Sequence, residues 1–414
     1  MSNMQTGPGK MNEAASPDKI WNIMFIGIFF VNMALNFGQY MSNSLLSLYA
    51  KSMGAPAEQI GMLMSMFAIT ALIFRFVAGP AINAYNRKVI VAIAMGCMAS
   101  AYFGFSFAPA IAGALGVQII SVLKCFRLLQ GIGSAFAGSC CLTIVSDMLP
   151  KNKFSSGMGI FACAQVIAQA IGPTVGVLLK DRLGYTITYF IFGCIMVCAI
   201  IASTMLRLAP NVRTPFNLKL KNMIAKEAVL PAVITFLIAL GFTTINSFLL
   251  VYAEERGISG ASLFFTVYAL TMLVTRPMIG KLTDKYGFVK VGIPSVLATA
   301  CSLVLIGIST NLPMLLFAAF VNAFGYGAVM PALQSLSMRA VSPERRGSAS
   351  STNYIGQDTA TLIGSTVAGY VASMAGYTPL MWVTMAVPVL LAALFIILFR
   401  KYIYKVEKNF KSRN

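Results

Sequence analysis

The run GVQIISVLKCFRLLQGIGSAFAGSCCLTIV, Gly116 to Val145, is an apolar stretch interrupted by two cations, Lys124 and Arg127. A helix needs about 20 apolar residues to cross a bilayer, so the run reads as a membrane span. A charged side chain near mid-membrane costs about 2.5–3.5 kcal/mol on insertion scales, and it faces a polar cavity, an ion pair or a substrate path. Lys124, Arg127 and Gln130 are spaced by three residues and so share one helical face. That face is expected to look into a helix bundle, with Arg127 as its leading functional residue.

The rest of the chain has the same character. Of 414 residues 58% are hydrophobic and only 10% charged, the composition of a polytopic membrane protein. Apolar length and polar breaks predict twelve spans. Six run Ile20 to Tyr49, Ile60 to Ala78, Val89 to Phe107, Gly116 to Val145, Ser156 to Leu179 and Tyr185 to Leu206. Six more run Val229 to Ala253, Ser262 to Met278, Val291 to Thr310, Pro313 to Leu336, Ser348 to Ser373 and Pro379 to Phe399. The expected fold is all-α: two six-helix halves, 20–206 and 229–399, a tail 1–19, a linker 207–228 and a tail 400–414. With the N-terminus inside, 25 of the 31 Lys and Arg fall on the cytoplasmic side, counting Arg75 and Arg276 as span-end residues. Both termini are therefore expected in the cytoplasm, in the plasma or inner membrane. The linker, with Lys219 and Lys226 among Phe216, Leu218 and Ile224, reads either as an amphipathic helix on the inner leaflet or as a solvated connection.

Composition also excludes function classes. The net charge of +19 has no soluble domain to display it to nucleic acid, and instead marks a membrane face. All eight cysteines lie in predicted spans and imply no disulfide framework. There is no histidine, so neither a transition-metal site nor a Ser/His constellation is expected, and no phosphate-binding G-x-x-x-x-G-K-[ST] occurs. No cofactor is implied, and a membrane-embedded enzyme is disfavoured. A sensor that only binds its ligand would carry an added soluble domain.

The two halves repeat each other. Arg75, Gly79 and Tyr85 recur 201 positions later as Arg276, Gly280 and Tyr286. Asn43, Ser44, Tyr49, Ala50 and Gly54 recur 203 later as Asn246, Ser247, Tyr252, Ala253 and Gly257. Gln165, Gly172, Gly184 and Tyr185 recur 192 later as Gln357, Gly364, Gly376 and Tyr377. Such matches indicate a duplicated six-span unit, the architecture of one large transporter class with its site between the repeats.

The loops resemble the major facilitator superfamily over nearly the whole chain. Its pattern G-x-L-x-D-R-x-G-R-K is met after span two by Gly79, Arg87 and Lys88, while Ala81, Asn83, Ala84 and Asn86 depart from it. The second copy keeps Gly280, Leu282, Asp284, Lys285 and Gly287, so Asp284 is expected to carry more of the gating role. Arg127, Gln130, Gly131 and Gly133 resemble the family's R-x-x-Q-G-x-G. In span five Gly159, Gly172, Pro173 and Gly176 match the antiporter pattern, with Ala168 and Val177 in place of two glycines. That match implies proton-driven export; read as small residues alone, the same positions allow close helix packing and a kink.

Asp358 is the one carboxylate deep within a predicted span. A proton-coupled carrier needs a group that charges and neutralises as the site changes sides, and Asp358 is the choice; the alternative is a fixed pair with Arg75, since spans two and eleven adjoin in the family fold. Asn32, Asn36, Gln39 and Asn43 form a polar stripe on span one, and Thr243, Asn246 and Ser247 a similar group on span seven. The resemblance makes these cavity-lining, with Phe37, Tyr40, Phe242, Phe324 and Tyr326 as apolar walls. Lys124 and Arg127 outnumber Asp358 there and lean toward an anionic or zwitterionic solute, unless Lys124 snorkels to the outer surface. The implied function is alternating-access transport of a small organic solute, exported against protons by a monomer in the lipid bilayer. The alternative is a symporter or uniporter taking up a small organic anion.

Overall fold

Helix follows helix along the chain, because in lipid only internal hydrogen bonding satisfies the backbone. The computed structural model describes residues 20–54, 57–206, 215–219, 223–261, 263–375 and 378–412. The expected tail 1–19, residues 207–214 and 220–222 of the linker, and Gly376 and Tyr377 of the repeat lie outside them; Phe216 and Leu218 of the linker are exposed and stand in no helix. The first half contains α1 (Ile23–Ser52), α2 (Ala57–Ala84), α3 (Arg87–Ser106), the short α4 (Ala108–Leu115), α5 (Ile119–Met148) and α6 (Phe154–Met205). The second contains α7 (Val229–Glu255), α8 (Leu263–Tyr286), α9 (Phe288–Ile308), α10 (Leu312–Arg339), α11 (Arg346–Ala375), α12 (Pro379–Leu398) and α13 (Arg400–Ser412). No strand occurs among the described residues.

As one rod, the 52 residues of α6 would measure about 78 Å, over twice the roughly 30 Å hydrocarbon core. Gly184 breaks it, at φ 77° and ψ 172°, a conformation that a Cβ disfavours. The arms 154–183 and 185–205 correspond to the two spans read from the sequence. Nine helices among the described residues are long and apolar enough to cross a membrane, and α12 makes a tenth if joined to α13, from which it bends by 63°. The chain is thus a multi-pass membrane protein. The helix α11 is less apolar than these, because Asn353, Gln357 and Asp358 interrupt it along with several Ser and Thr. The sequence reading has no counterpart of α4 or α13.

Each half has its own core, one around Phe25, Tyr102 and Phe192 and the other around Tyr268, Leu303 and Trp382. The repeat is visible in detail: Tyr49 and Tyr252 are both fully buried, and Gly54 and Gly257 both end their helices with positive φ. Across the seam α2 packs on α11, and its repeat-related counterpart α8 packs on α6.

The amphipathic α13 lies over this seam. Its Ile403 and Val406 join the second core while Phe410 joins the first, 5.2 Å from the ring of Phe154. Between them Glu407 accepts the backbone N–H of Phe288 at 2.7 Å, placing a carboxylate at the N-terminus of α9, where the helix dipole favours it. Glu407→Ala should therefore cost about 1–2 kcal/mol and lower the midpoint of detergent-solubilised thermal unfolding. Glu407→Gln should recover part of that loss, and an unchanged midpoint in Glu407→Ala would contradict the capping role.

Candidate functional site

Between the halves lies a cavity of about 620 Å³. The polar stripe of α1 faces it, because Asn32, Asn36, Gln39, Tyr40 and Asn43 recur at helical spacing and all line it. Opposite them are Asn246 and Ser247 of α7, with Gln357 and Asp358 of α11. The stripe is bonded into its surroundings: Asn36 Nδ2 donates to the Asn32 carbonyl at 2.7 Å, Ser134 Oγ to Gln39 Oε1 at 3.4 Å, and Gln165 Nε2 to Tyr40 Oη at 3.0 Å.

Arg127 lines the cavity and is 1% exposed. One terminal nitrogen donates to Gln130 Oε1 at 2.5 Å and the other to Asn43 Oδ1 at 2.6 Å, with the Phe67 ring centroid 4.7 Å from its guanidinium carbon. Gln130 does not line the cavity; its Nε2 donates to Tyr102 Oη at 3.2 Å, so it orients Arg127 from behind. No carboxylate among the described residues pairs with Arg127, and its Nε has no acceptor among them. A planar, permanently charged group held only by neutral amides is suited to bind an anionic or strongly polar ligand.

Gln130, expected in the cavity, stands behind Arg127 instead, and three further expectations require correction. Lys124 does not line the cavity; it lies one turn nearer the start of α5 than Arg127 and is half-buried. Thr243 is buried against Gly364 rather than facing the cavity, one turn short of Asn246. Arg75 and Arg276 are not span-end residues: α2 continues nine residues past one and α8 ten past the other, and both are 5% exposed. Of the expected aromatic walls, Phe37 stacks on Phe192 at 5.6 Å and Phe324 borders a separate groove with Ile279 and Tyr286. Phe242 and Tyr326 stack at 4.0 Å in a narrow extension of the cavity.

Asp358 is paired. Arg75 Nε donates to its Oδ2 at 2.7 Å, while the same guanidinium donates to the Ala135 carbonyl and Ser139 Oγ at 3.0 Å each and lies 4.2 Å from the Tyr354 ring centroid. The pair joins α2 of one half to α11 of the other, in the wall of the cavity.

One end of the bundle, where α2, α5, α8 and α10 finish, is closed by contacts between the halves. Asn83, at the position of the family's aspartate, accepts the Gly347 N–H at 2.8 Å and donates to Ser348 Oγ at 2.8 Å. Its repeat counterpart Asp284 accepts the N–H groups of Ser155 and Ser156 at 2.9 and 2.8 Å and a 2.6 Å bond from Arg339. Each thus caps the N-terminus of a helix in the opposite half, α11 and α6. Asp147 bridges Arg87 and Arg346 beside them. Lys88 contributes its backbone N–H to the Asn86 cap of α3, Lys285 lies 5.1 Å from the Tyr286 ring centroid, and Gly287 turns the chain into α9 at φ 85°.

Glycine lets these ends meet. A Cβ on Gly79 would fall 2.9 Å from Ser348 Cα, one on Gly280 2.6 Å from the Ser155 carbonyl, and one on Gly159 2.6 Å from the Arg276 carbonyl. The antiporter-like residues therefore divide: Gly159 faces α8 across the seam, whereas Gly172 and Gly176 pack on Phe37 and Met41 of α1, with Pro173 inside the helix. Sequence reasoning missed Asp147, Arg339 and Arg346. The available signal was that Arg339 follows Asp147 by 192 positions, the repeat interval.

A family model described as Major Facilitator Superfamily matches residues 28–259 and 231–414. The multi-drug resistance efflux pump PmrA homolog of Lactococcus lactis subsp. lactis (strain IL1403) is 25% identical over 384 residues, 84% of this chain and 88% of that protein. Among solved structures, a bacterial homologue of the iron transporter ferroportin in an outward-facing state has a TM-score of 0.77 at 13% identity, covering 92% of this chain and all of that one. The human organic anion transporter MFSD10 has a TM-score of 0.74 at 16% identity over 90% of this chain and 98% of its own. These structures share the fold.

Loss of the Asp284 caps should open the closed end. In a variant whose native cysteines are replaced, Ser351→Cys, at a site that is fully buried beside Gly79, should resist a maleimide. Adding Asp284→Ala should raise the labelling rate several-fold, and Asp284→Asn less. Equal rates in all three would show that these caps do not hold the end shut.

Proposed function

The chain belongs to the major facilitator superfamily, whose model matches both halves, and from that premise we propose that this secondary transporter exports a small organic solute in exchange for protons. The observation that carries the reading is the cavity of about 620 Å³ between repeated halves, with the seal at its basic end made by residues from both. A carrier must break such a seal and form another on the opposite side, and contacts between rigid halves can do so in two discrete arrangements. The relative described as a multi-drug efflux pump supports export.

In this reading Arg127, steadied by Asn43 and Gln130, holds the solute, and Asp358 carries the proton. The charge on Asp358 then bears on conformation, since its partner Arg75 belongs to the other half. Protonation removes the ion pair and leaves a buried guanidinium without its counterion, which disfavours the arrangement that depends on it. The basic, closed end is assigned to the cytoplasm, with both termini there, in a plasma or inner membrane, and the unit of transport is a monomer.

A second reading keeps the cavity and reverses the flux, giving uptake of a small organic anion; that Arg127 has no carboxylate partner among the described residues favours it. Proteoliposomes under an imposed pH gradient separate the two, with ethidium as the cationic and salicylate as the anionic probe. Export predicts gradient-driven accumulation against the proton flow. Asp358→Asn should abolish that accumulation while leaving equilibrative exchange within a few-fold of wild type. Flux indifferent to the gradient in both proteins would reject proton coupling.

A further inference from the structure

The repeat relation sets Arg276 beside Arg75 as the same residue in two halves, and their surroundings can be compared position by position. Arg75 donates to the carbonyl of Ala135, and Arg276 to that of Gly327, 192 positions later. Arg75 lies over Tyr354, and Arg276 donates to the carbonyl of Ala162, 192 earlier. One turn beyond Tyr354 is Asp358, the counterion of Arg75; one turn beyond Ala162 is Val166, fully buried and packed into the core of the second half. The frame is duplicated and the carboxylate is not. Arg276 is 5% exposed, has no carboxylate partner among the described residues, and uses only two of its five N–H donors in the hydrogen bonds it makes there.

Beside it the main cavity narrows into an extension of about 50 Å³, lined by Arg276, Tyr268, Tyr326, Tyr40, Gln165 and Gln357. The volume suits a carboxylate group and excludes a ring. Tyr268 lines this space, and its hydroxyl is buried with no hydrogen-bond partner among the described residues. A buried guanidinium short of one negative charge and a buried hydroxyl short of one acceptor are both completed by an anion.

We propose that Arg276 and Tyr268 form an anion-binding subsite, which takes the carboxylate of an organic acid whose apolar body lies in the main cavity. Phe67 and Phe161 line the main cavity and give that apolar body a wall, so an acid with a larger apolar body is held better. The inference rests on reading the cavity as the solute's path, and names the class of solute.

Thermal unfolding of the detergent-solubilised full chain tests it without a gradient, with acetate and phenylacetate as probes at constant ionic strength, and acetamide and phenylacetamide as neutral controls. Wild type should show a saturable rise in midpoint with both acids, larger for phenylacetate, and none with the amides. Val166→Asp restores the counterion that the repeat lacks; it should raise the midpoint without ligand and abolish the response to the acids. Tyr268→Phe removes only the partnerless hydroxyl and should weaken the apparent affinity at least five-fold, which keeps the test available should Val166→Asp not yield monodisperse protein. No response in wild type, an equal response to the amides, or a wild-type response in Tyr268→Phe or Val166→Asp would overturn the subsite. Because the readout is binding, such failure is distinct from failure of proton coupling, which is read by flux through Asp358→Asn.

Discussion

The N-termini of α6 and α11 have their capping acceptors in the opposite half of the molecule, at Asp284 and Asn83. An uncapped helix start leaves backbone donors unsatisfied, so at this end each half completes the other. The close approach at Gly79, Gly159 and Gly280 follows from the same constraint, since the caps are reached only if the helices nearly touch. The cavity is the space that remains between the halves beyond those contacts. Phe410 and Glu407 of α13 add a clasp on the same face, tied to both cores.

Upon this symmetric frame the charges are placed asymmetrically. The acid Asp358 stands opposite Val166 in the repeat, Arg339 opposite Asp147, and Arg127 opposite Ala319. Duplication supplies the two-part frame, while the departures from it set the charges unevenly along the cavity and the closed end. Asn83 and Asp284 illustrate the tolerance of the frame: one neutral and one charged, they accept equivalent backbone N–H groups. What differs is the added bond from Arg339, which only the carboxylate attracts with full charge.

Much of this was legible in residue order. Apolar runs located the long helices, the polar break after Leu179 separated the two arms of α6, and the one-turn spacing of Asn32, Asn36, Gln39 and Asn43 put them on the cavity face. Arg127 was recognisable because a cation in an apolar run demands a polar surrounding. Lys124 obeyed the same rule on paper and failed it in space: helical spacing gives a direction around the axis, but depth in the membrane decides whether a long side chain can reach water. Thr243 likewise shares the polar group of Asn246 yet lies behind it, against Gly364.

The sequence by itself determined an all-α membrane protein of two repeated halves, since hydropathy, glycine turns and repeat intervals are local properties that survive without knowing how helices pack. Only tertiary structure decided who neutralises whom. The pairing of Arg75 with Asp358, the bridge of Asp147 to Arg87 and Arg346, and the absence of a counterion at Arg276 among the described residues join or separate residues distant along the chain. Electrostatic energy depends on separation and burial, and neither quantity is written in the order of residues.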